Sequence, residues 1–430
     1  MNISDLYSLF REHPLVSTDS RNCPTGCLFF ALKGDRFDGN DYVEQVLNRG
    51  AAYAVADRTD LPADKRIIQV NNVLETLQQL AHYHRQQMNA EVIALTGTNG
   101  KTTTKELLAA CLTTQYKTLF TEGNLNNHIG VPLTLLRLTP EHELAVIEMG
   151  ANHPGEIDEL CRIADPDYGL ITNVGKAHLE GFGSFEGVVK TKTELYNYLR
   201  HRGGTIFANL DNLILKDLVQ TPNASYYGTN SEAFIHGNIT GSSPTLSLTW
   251  FRGEEQNEIT THLVGGYNLE NVLAAICVAA HFGVGSRNIN RALTEYIPQN
   301  NRSQKKETEK NALIIDAYNA NPTSMRAAVE NFATLPHSPK LVILGEMKEL
   351  GSYSHDEHQA LVDYLTDCAF DRVMLVGENF TTIDNIPMEW QVFSNTDLLL
   401  SYLNEHSLTG YTILIKGSRG NQLEQTICKL

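Results

Sequence analysis

The sequence feature that most constrains the fold is a repeated alternation of short apolar runs with segments of helical periodicity. Runs such as EVIALTG, LAVIEMGA and KLVILGEM are apolar almost throughout, so strands built from them are buried on both faces. Strands of this kind separated by helices form parallel sheets with helices packed on each side. We therefore predict an α/β protein, and 430 residues at about 150 per domain give about three domains.

Breaks in the alternation set the predicted domain boundaries. Residues 1–85 form a small α/β unit, and residues 86–298 form a central parallel-sheet domain. Residues 299–430 begin with the polar stretch QNNRSQKKETEK and then restart the alternation as a compact doubly wound unit. Within the central domain, short alternating runs at 232–264 predict antiparallel strands added to the edge of the sheet.

The composition disfavours several classes of function. The 50 acidic and 34 basic residues give a net charge of −16, which argues against nucleic acid as a partner. No run of about 18 apolar residues is present, so we expect no membrane insertion. The N-terminal stretch is unlike a secretory signal, and seven scattered cysteines are typical of a reducing cytoplasm. Cys23 and Cys27 lack a second Cys or His pair at zinc-binding spacing, so we expect no zinc site.

The strongest motif is a glycine-rich turn between a predicted strand and a predicted helix, in ALTGTNGKTTT. Free N–H groups at the start of such a helix bind phosphates, and Lys101 would reach the terminal ones. The Thr102 hydroxyl is placed to ligate Mg²⁺. Leu95 stands where the full Walker motif has its first glycine, so this is the shorter G-x-x-G-K-T form. The alternative interpretation is a glycine turn followed by a surface lysine.

Polar side chains follow the neighbouring predicted strands. Glu148 ends one of them, and His178 and Glu180 follow the next. A carboxylate and an imidazole beside a phosphate loop can hold one or two Mg²⁺ ions, although each residue alone could be structural. Two amide-rich segments, 121–132 and 318–325, remain open between helix capping and ligand contact.

Taken together, these segments resemble the Mur ligase family over nearly the whole chain. The resemblance rests on GTNGKTTTKELL, TEGNLNNHIGVPLTLL, AVIEMGANHPGEI, ITNVGKAHLEGFGS with KTKTEL, GGYNLEN, IIDAYNANPTSM, LGEMKELG and IKGSRG. The first motif alone would admit any member of the family. NLNNHIGVPLTLL, MGANHPGEI and YNANPTSM single out the branch that adds D-alanyl-D-alanine.

The resemblance implies a UDP-binding N-terminal domain, a central P-loop ATPase domain and a C-terminal Rossmann-like domain. It implies that ATP phosphorylates the terminal carboxylate of a UDP-N-acetylmuramoyl-tripeptide, and that the amine of D-Ala-D-Ala attacks the acyl phosphate. Phosphorylation supplies the leaving group that a carboxylate lacks, while Mg²⁺ and Lys101 offset the crowding of negative charge. The expected partners are these three small molecules, and we expect a cytoplasmic monomer that acts in peptidoglycan synthesis.

Carried over position by position, the resemblance also implies the site residues. The catalytic residues are Lys101, Glu148, His178 and Lys192. The ATP contacts are Thr98, Asn99, Gly100, Lys101, Thr102, Thr103, Asn268, Asn271, Arg302 and Asp316. The substrate contacts are Ser20, Arg21, Lys33 and Asn40 for the uridine nucleotide, with Asn124, Lys416, Ser418 and Arg419. Two Mg²⁺ ions are implied, one held by Thr102 and Glu148, the other by His178 and a carbamoylated Lys192.

Three positions depart from the residues that are usual in the family. Tyr267 stands in place of His, Ile315 in place of a frequent second Asp, and Glu346 in place of a common Asp.

Two other functions also stay open. One is a ligase for a different acceptor such as folate, against which the DSR and FFALKG segments argue because such an enzyme needs no UDP domain. The other is a P-loop ATPase that hydrolyses ATP only to change shape.

Overall fold

Three main β-sheets organise the chain, and the computed structural model describes residues 2–243, 245–336 and 339–430. Neighbouring residues of the central strands face opposite cores. Ile93 and Leu95 pack with one group of helices, while Val92 and Ala94 pack with another. The sheet is therefore covered on both faces, as continuous apolar strands require. The predicted α/β class with parallel sheets is confirmed.

The first sheet has four parallel strands in the order β1-β2-β5-β6, with a separate two-stranded hairpin, β3-β4. The strands are β1 (Val16–Ser17), β2 (Leu28–Phe30), β3 (Lys33–Gly34), β4 (Phe37–Asp38), β5 (Tyr53–Ala56) and β6 (Ile67–Gln69). The helices are α1 (Ile3–Glu12), α2 (Val43–Asn48) and α3 (Val73–Gln86). The Asn72 side chain caps α3 by accepting a hydrogen bond from the Glu75 backbone N–H at 3.1 Å.

The second sheet has nine strands in the order β15-β14-β13-β12-β11-β10-β7-β9-β8. The strands are β7 (Glu91–Thr96), β8 (Thr118–Phe120), β9 (Leu144–Glu148), β10 (Tyr168–Ile171), β11 (Thr205–Asn209), β12 (Ala224–Gly228), β13 (Ile235–Gly241), β14 (Thr245–Arg252) and β15 (Glu255–Val264). The helices are α4 (Lys101–Leu112), α5 (Gly130–Leu135), α6 (Glu156–Ala164), α7 (Leu179–Phe182), α8 (Phe185–Arg202), α9 (Leu213–Val219), α10 (Leu269–His281) and α11 (Ser286–Glu295). Strands β13 to β15 pair antiparallel at the edge, as their alternating sequence predicts.

The third sheet has six strands in the order β16-β17-β21-β18-β19-β20, and all pairs except β16-β17 are parallel. The strands are β16 (Gln304–Glu307), β17 (Ala312–Asp316), β18 (Lys340–Gly345), β19 (Arg372–Val376), β20 (Gln391–Phe393) and β21 (Thr412–Lys416). The helices are α12 (Pro322–Thr334), α13 (Ser354–Thr366) and α14 (Thr396–Glu405). The sequence pattern near residues 421–429 predicts an α-helix after β21. The structure instead has a 3₁₀ helix at Leu423–Cys428, a form that is common in short pieces.

Side chains of α3 connect the domain of the first sheet to the central domain. The Arg85 guanidinium pairs with Asp167 at 2.8 Å and donates to the Ala164 carbonyl at 3.2 Å. Nε2 of buried His84 lies 3.0 Å from the Leu138 carbonyl oxygen. No helix in the described part of the chain is long and apolar enough to cross a membrane.

Candidate active site

A cavity of about 760 Å³ lies where the carboxyl ends of the central strands face those of the third sheet. Ligands of open parallel sheets bind in this position, beyond the carboxyl ends of the strands. Most of the residues predicted from the sequence line it. They are Thr98, Asn99, Gly100, Lys101, Thr102, Thr103, Asn124, Glu148, His178, Asn268, Asn271, Arg302, Asp316, Lys416, Ser418 and Arg419.

The loop between β7 and α4 requires glycine at two positions. Gly97 has φ +145° and Gly100 has φ +79°, conformations that other residues rarely adopt. A Cβ at Gly97 would lie 2.0 Å from Oγ1 of Thr172, and one at Gly100 would lie 2.2 Å from Oδ1 of Asn271. The tight loop lets α4 begin at the cavity, where its first N–H groups can bind phosphate.

The ammonium of Lys101 folds back over this loop. Its Nζ donates to the carbonyl oxygens of Gly97 at 2.8 Å and Thr98 at 3.2 Å. Burial lowers the pKa of Lys101 to about 8; the charge of Glu148 opposes this shift and that of Arg302 adds to it. An anionic phosphate in the cavity would favour the charged form of this side chain.

The carboxylate of Glu148 is held at one oxygen and free at the other. Its Oε1 accepts from the Thr102 hydroxyl at 3.3 Å and from Nδ2 of Asn126 at 2.8 Å. Its Oε2 is buried and has no hydrogen-bond partner within the described chain. A buried, unpaired carboxylate oxygen beside a hydroxyl is a donor set that fits Mg²⁺, which prefers oxygen ligands.

The other two residues predicted to bind metal are placed differently. His178 has φ +50° just before α7, and its ring faces the carboxylate of Glu349 from the third sheet's domain. Lys192 is 2% exposed and is absent from the cavity lining among the residues described, but its Nζ donates to the carbonyl of Ala151, which does line it, at 3.3 Å. Burial, and secondarily the charge of Lys101, lower the pKa of Lys192 well below its usual range.

Side chains alone do not complete a metal site here. The described residues contain no cluster of three or more His, Cys, Asp and Glu side chains that could hold an ion. A metal at Glu148 would therefore need further oxygen ligands, such as the Thr102 hydroxyl, substrate phosphates or water.

Two of the asparagines predicted to contact ATP, Asn268 and Asn271, are hydrogen-bonded to other groups of the protein. Nδ2 of Asn271 donates to Oδ1 of Asn268 at 2.9 Å, and Nδ2 of Asn268 donates to the Val264 carbonyl at 2.8 Å. Oδ1 of Asn271 also accepts from the Thr104 hydroxyl at 3.1 Å. These amides hold the start of α10 against α4 and the phosphate loop.

The third sheet contributes charged groups to the opposite wall. Nζ of Lys416, 1% exposed, lies 2.5 Å from the Asp316 carboxylate, so this charge is paired within the sheet. The guanidinium of Arg302 stacks 3.8 Å from the centroid of the Tyr318 ring, and that of Arg419 lies 5.6 Å from it. The Ser418 hydroxyl donates to a backbone carbonyl at 3.1 Å.

The sequence analysis did not single out Asn126 and Asn321, although both lie in the amide-rich segments. Asn126 supports Glu148, as described above. Asn321 caps α12 by accepting from the Ser324 N–H at 2.9 Å, and its Nδ2 donates to Oδ1 of Asn99 at 2.7 Å. The second segment thus combines helix capping with a contact to the phosphate loop.

The predicted uridine contacts are not brought to the cavity. Within the described residues, none of the four lines it: Ser20, Arg21, Lys33 and Asn40. Arg21 pairs with Asp19 at 2.9 Å, Nζ of Lys33 lies 3.4 Å from Asp57, and Asn40 donates to Asp57 at 2.9 Å. These contacts lie within the first sheet's domain, where Asn40 is buried.

The three departures from the family pattern also have distinct places. Tyr267 lines the cavity, and its hydroxyl lies 3.3 Å from Oγ of Ser303. Ile315 is buried in the core of the third sheet. The carboxylate of Glu346 accepts from Nδ2 of Asn379 at 2.9 Å. Of the three, only Tyr267 faces the cavity.

Comparisons with known proteins point to the same family in successive parts of the chain. Family models match at residues 14–85 (Mur ligase family, catalytic domain), 95–279 (Mur ligase middle domain) and 301–419 (Mur ligase, glutamate ligase domain). The UDP-N-acetylmuramoyl-tripeptide–D-alanyl-D-alanine ligase of Bacillus subtilis (strain 168) is 35% identical over 96% of this chain and 92% of the relative. A crystal structure of MurF from Acinetobacter baumannii superposes with a TM-score of 0.87 at 32% identity, covering 96% of this chain and 92% of that one. MurF from Thermotoga maritima, solved in complex with ADP, gives a TM-score of 0.85 at 27% identity, with 96% of both chains covered.

Proposed function

The chain belongs to the Mur ligase family, and we propose that it is the ATP-dependent ligase that joins D-alanyl-D-alanine to a UDP-N-acetylmuramoyl-tripeptide in peptidoglycan precursor synthesis. The observation that carries this proposal is the cavity beyond the carboxyl ends of the strands. It places Lys101 of the phosphate loop opposite Arg302 and Arg419 of another sheet's domain. An enzyme that transfers phosphate from ATP to an anionic peptide needs cationic groups around the space that the two substrates share.

The reaction proceeds in two steps that place different demands on the site. An oxygen of the tripeptide carboxylate attacks the γ-phosphorus of ATP, the bond to the β–γ bridging oxygen breaks, and ADP leaves. The dipeptide amine then attacks the carbonyl carbon of the acyl phosphate, inorganic phosphate leaves, and the amine loses a proton. Lys101 and the first N–H groups of α4 hold the transferred phosphoryl group and offset its charge.

Magnesium, when bound, supplies positive charge that draws the phosphate oxygens and the carboxylate together. The unpaired Oε2 of Glu148 and the hydroxyl of Thr102 are the groups that would hold one ion. A second ion is proposed at His178 and a carbamoylated Lys192. The lowered pKa of Lys192 supports this, because the neutral amine adds CO₂: an N–C bond forms and a proton is lost.

The remaining assignments are proposals of the same kind. The loop after β21 faces the cavity with Ser418 and Arg419, groups that suit the dipeptide carboxylate. Ser20, Arg21, Lys33 and Asn40 are proposed to bind the uridine nucleotide. We also propose that the domains span residues 1–85, 86–298 and 299–430. The protein is proposed to act as a monomer. A cytoplasmic location is proposed because the reaction needs ATP and a UDP-linked precursor.

A panel of acceptors tests the function directly. The purified protein is incubated with Mg²⁺, ATP and either UDP-N-acetylmuramoyl-tripeptide or a folate, each with D-Ala-D-Ala or a single amino acid. Mass spectrometry should detect a UDP-linked pentapeptide only from the tripeptide with D-Ala-D-Ala. A glutamylated folate, or product from single amino acids at comparable rates, would refute the proposal.

A further inference from the structure

A fully buried lysine lies one helical turn beyond the catalytic lysine. Lys105 of α4 is 0% exposed, and among the described residues it does not line the cavity. Burying an ammonium is unfavourable unless good hydrogen-bond partners replace water. Contact with the nucleotide therefore does not explain why a lysine is buried at this position.

The partners of Lys105 lie on α4 itself and at the end of β8. Its Nζ donates to the backbone carbonyl of Thr121 at 2.6 Å, and to Oε1 of Glu106 at 2.6 Å. It also lies 5.8 Å from the centroid of the Phe120 ring. The ammonium thus joins α4 to the point where β8 passes into the amide-rich loop.

Thr121 is in turn bonded to the strand that carries the proposed metal ligand. Its N–H donates to the Val146 carbonyl at 3.0 Å, and its hydroxyl oxygen accepts from the backbone N–H of Glu148 at 3.0 Å. Five residues further on, Asn126 donates to the carboxylate of Glu148. Both the backbone and the side chain of Glu148 therefore depend on the segment that begins at Thr121.

We propose that Lys105 is a positioning residue, which fixes Thr121 and through it holds the carboxylate of Glu148 in place at the cavity. The inference rests on the proposed function only in giving Glu148 a metal to bind. A charged donor suits the role because its hydrogen bonds to carbonyls are roughly twice as strong as neutral ones. Groups that orient a metal ligand from behind typically change metal affinity by about 10–100-fold when removed.

Direct metal binding by Lys105→Met tests the proposal. Methionine keeps most of the volume and removes the charge. Mn²⁺, a spectroscopic substitute for Mg²⁺, is titrated by electron paramagnetic resonance into the full-length protein saturated with ADP. The Kd of the bound Mn²⁺ should rise about tenfold or more. A Kd within twofold of wild type in a folded variant would overturn the proposal.

Two variants of Thr121 keep the test decisive if Lys105→Met does not fold. Thr121→Val removes the hydroxyl that holds Glu148 and should raise the Kd for Mn²⁺, whereas Thr121→Ser keeps the hydroxyl and should retain wild-type affinity. Equal values for the two would contradict the proposed path. Thr134→Val is the matched control, because this buried hydroxyl bonds only within α5 among the described contacts; it should lower the Tm without changing the Kd.

A ligation assay of the wild-type protein, run in parallel, separates the two proposals. Wild-type ligation together with unchanged Mn²⁺ affinity in Lys105→Met refutes the positioning role alone. Weakened Mn²⁺ binding in the variant without any wild-type ligation supports the positioning role and refutes the proposed reaction.

Discussion

Among individual residues, Lys101 brings a positively charged side chain to the phosphate loop. Lys101→Met should lower kcat by about 10²-fold or more, because the ammonium acts on charge that builds up during phosphoryl transfer. Lys117→Ala is the control, since Lys117 is exposed and pairs with Glu141 away from the cavity. Steady-state rates at saturating ATP provide the measurement. A near-normal kcat for Lys101→Met would contradict the role given to the loop.

Lys192 and its neighbour Lys190 give a second matched pair. Both Lys192→Ala and Lys192→Arg should cripple ligation, because neither side chain can supply a carboxylate-like ligand. Lys190→Ala should be mild, since Lys190 is exposed on the same helix. Rates are compared with and without added bicarbonate. If Lys192→Arg retains wild-type kcat when bicarbonate is depleted, the carbamate is wrong.

The sequence predicted those site residues that local geometry dictates. Lys101 and Thr102 follow a glycine turn, and Glu148 ends an apolar strand, so short segments suffice to place them. The pairing of Lys416 with Asp316 was not predictable, because it arises from the register of β17 against β21, a hundred residues apart. Asn126 was missed for a similar reason, since its contact with Glu148 depends on how a loop folds over β9.

Among the secondary-structure elements, α3 carries a pH-sensitive contact. Burial lowers the pKa of His84, whose Nδ1 also lies 3.2 Å from the Tyr7 hydroxyl. As pH falls below the ordinary value of about 6.5, the unfolded chain binds a proton before the folded one does, so stability is lost. The Tm should therefore fall between pH 7.5 and 5.5, and fall less for His84→Gln. Equal slopes for the wild-type protein and His84→Gln would contradict this.

Helix α12 combines a cap with a contact to the phosphate loop. Asn321→Ala removes both, whereas Asn395→Ala removes only the cap of α14, where Asn395 accepts from the Leu398 N–H at 3.0 Å. Both should lose about 1 kcal/mol of stability. Only Asn321→Ala should also raise the KM for ATP, because Asn99 loses its partner. An equal KM for ATP in the two variants would show that the amide contact has no part in binding.

The secondary-structure elements were predicted best where the apolar patterns are long. Continuous apolar runs predicted the central parallel strands, and alternating runs predicted the antiparallel edge of β13 to β15. The end of the chain was less predictable, because six residues of helical periodicity suit a 3₁₀ helix as well as an α-helix.

Across the three sheets together, the account depends on a cavity that two domains share. Lys176 pairs with Glu357 at 2.6 Å, and Asn99 bonds to Asn321, so the central and third sheets' domains meet beside the phosphate loop. The family resemblance predicted that Arg302 and Asp316 of the third sheet's domain join the nucleotide site of the central domain. It did not predict the individual contacts between the two domains, which depend on how distant segments pack.

Phosphate release with each substrate omitted in turn tests this account most directly. A ligase whose site is completed by both substrates should release phosphate in step with product only when ATP, UDP-N-acetylmuramoyl-tripeptide and D-Ala-D-Ala are all present. Omitting either peptide should reduce steady-state release to background, because the acyl phosphate either does not form or is not consumed. Release at the full rate with ATP alone would contradict the account and indicate an ATPase that uses hydrolysis to change shape.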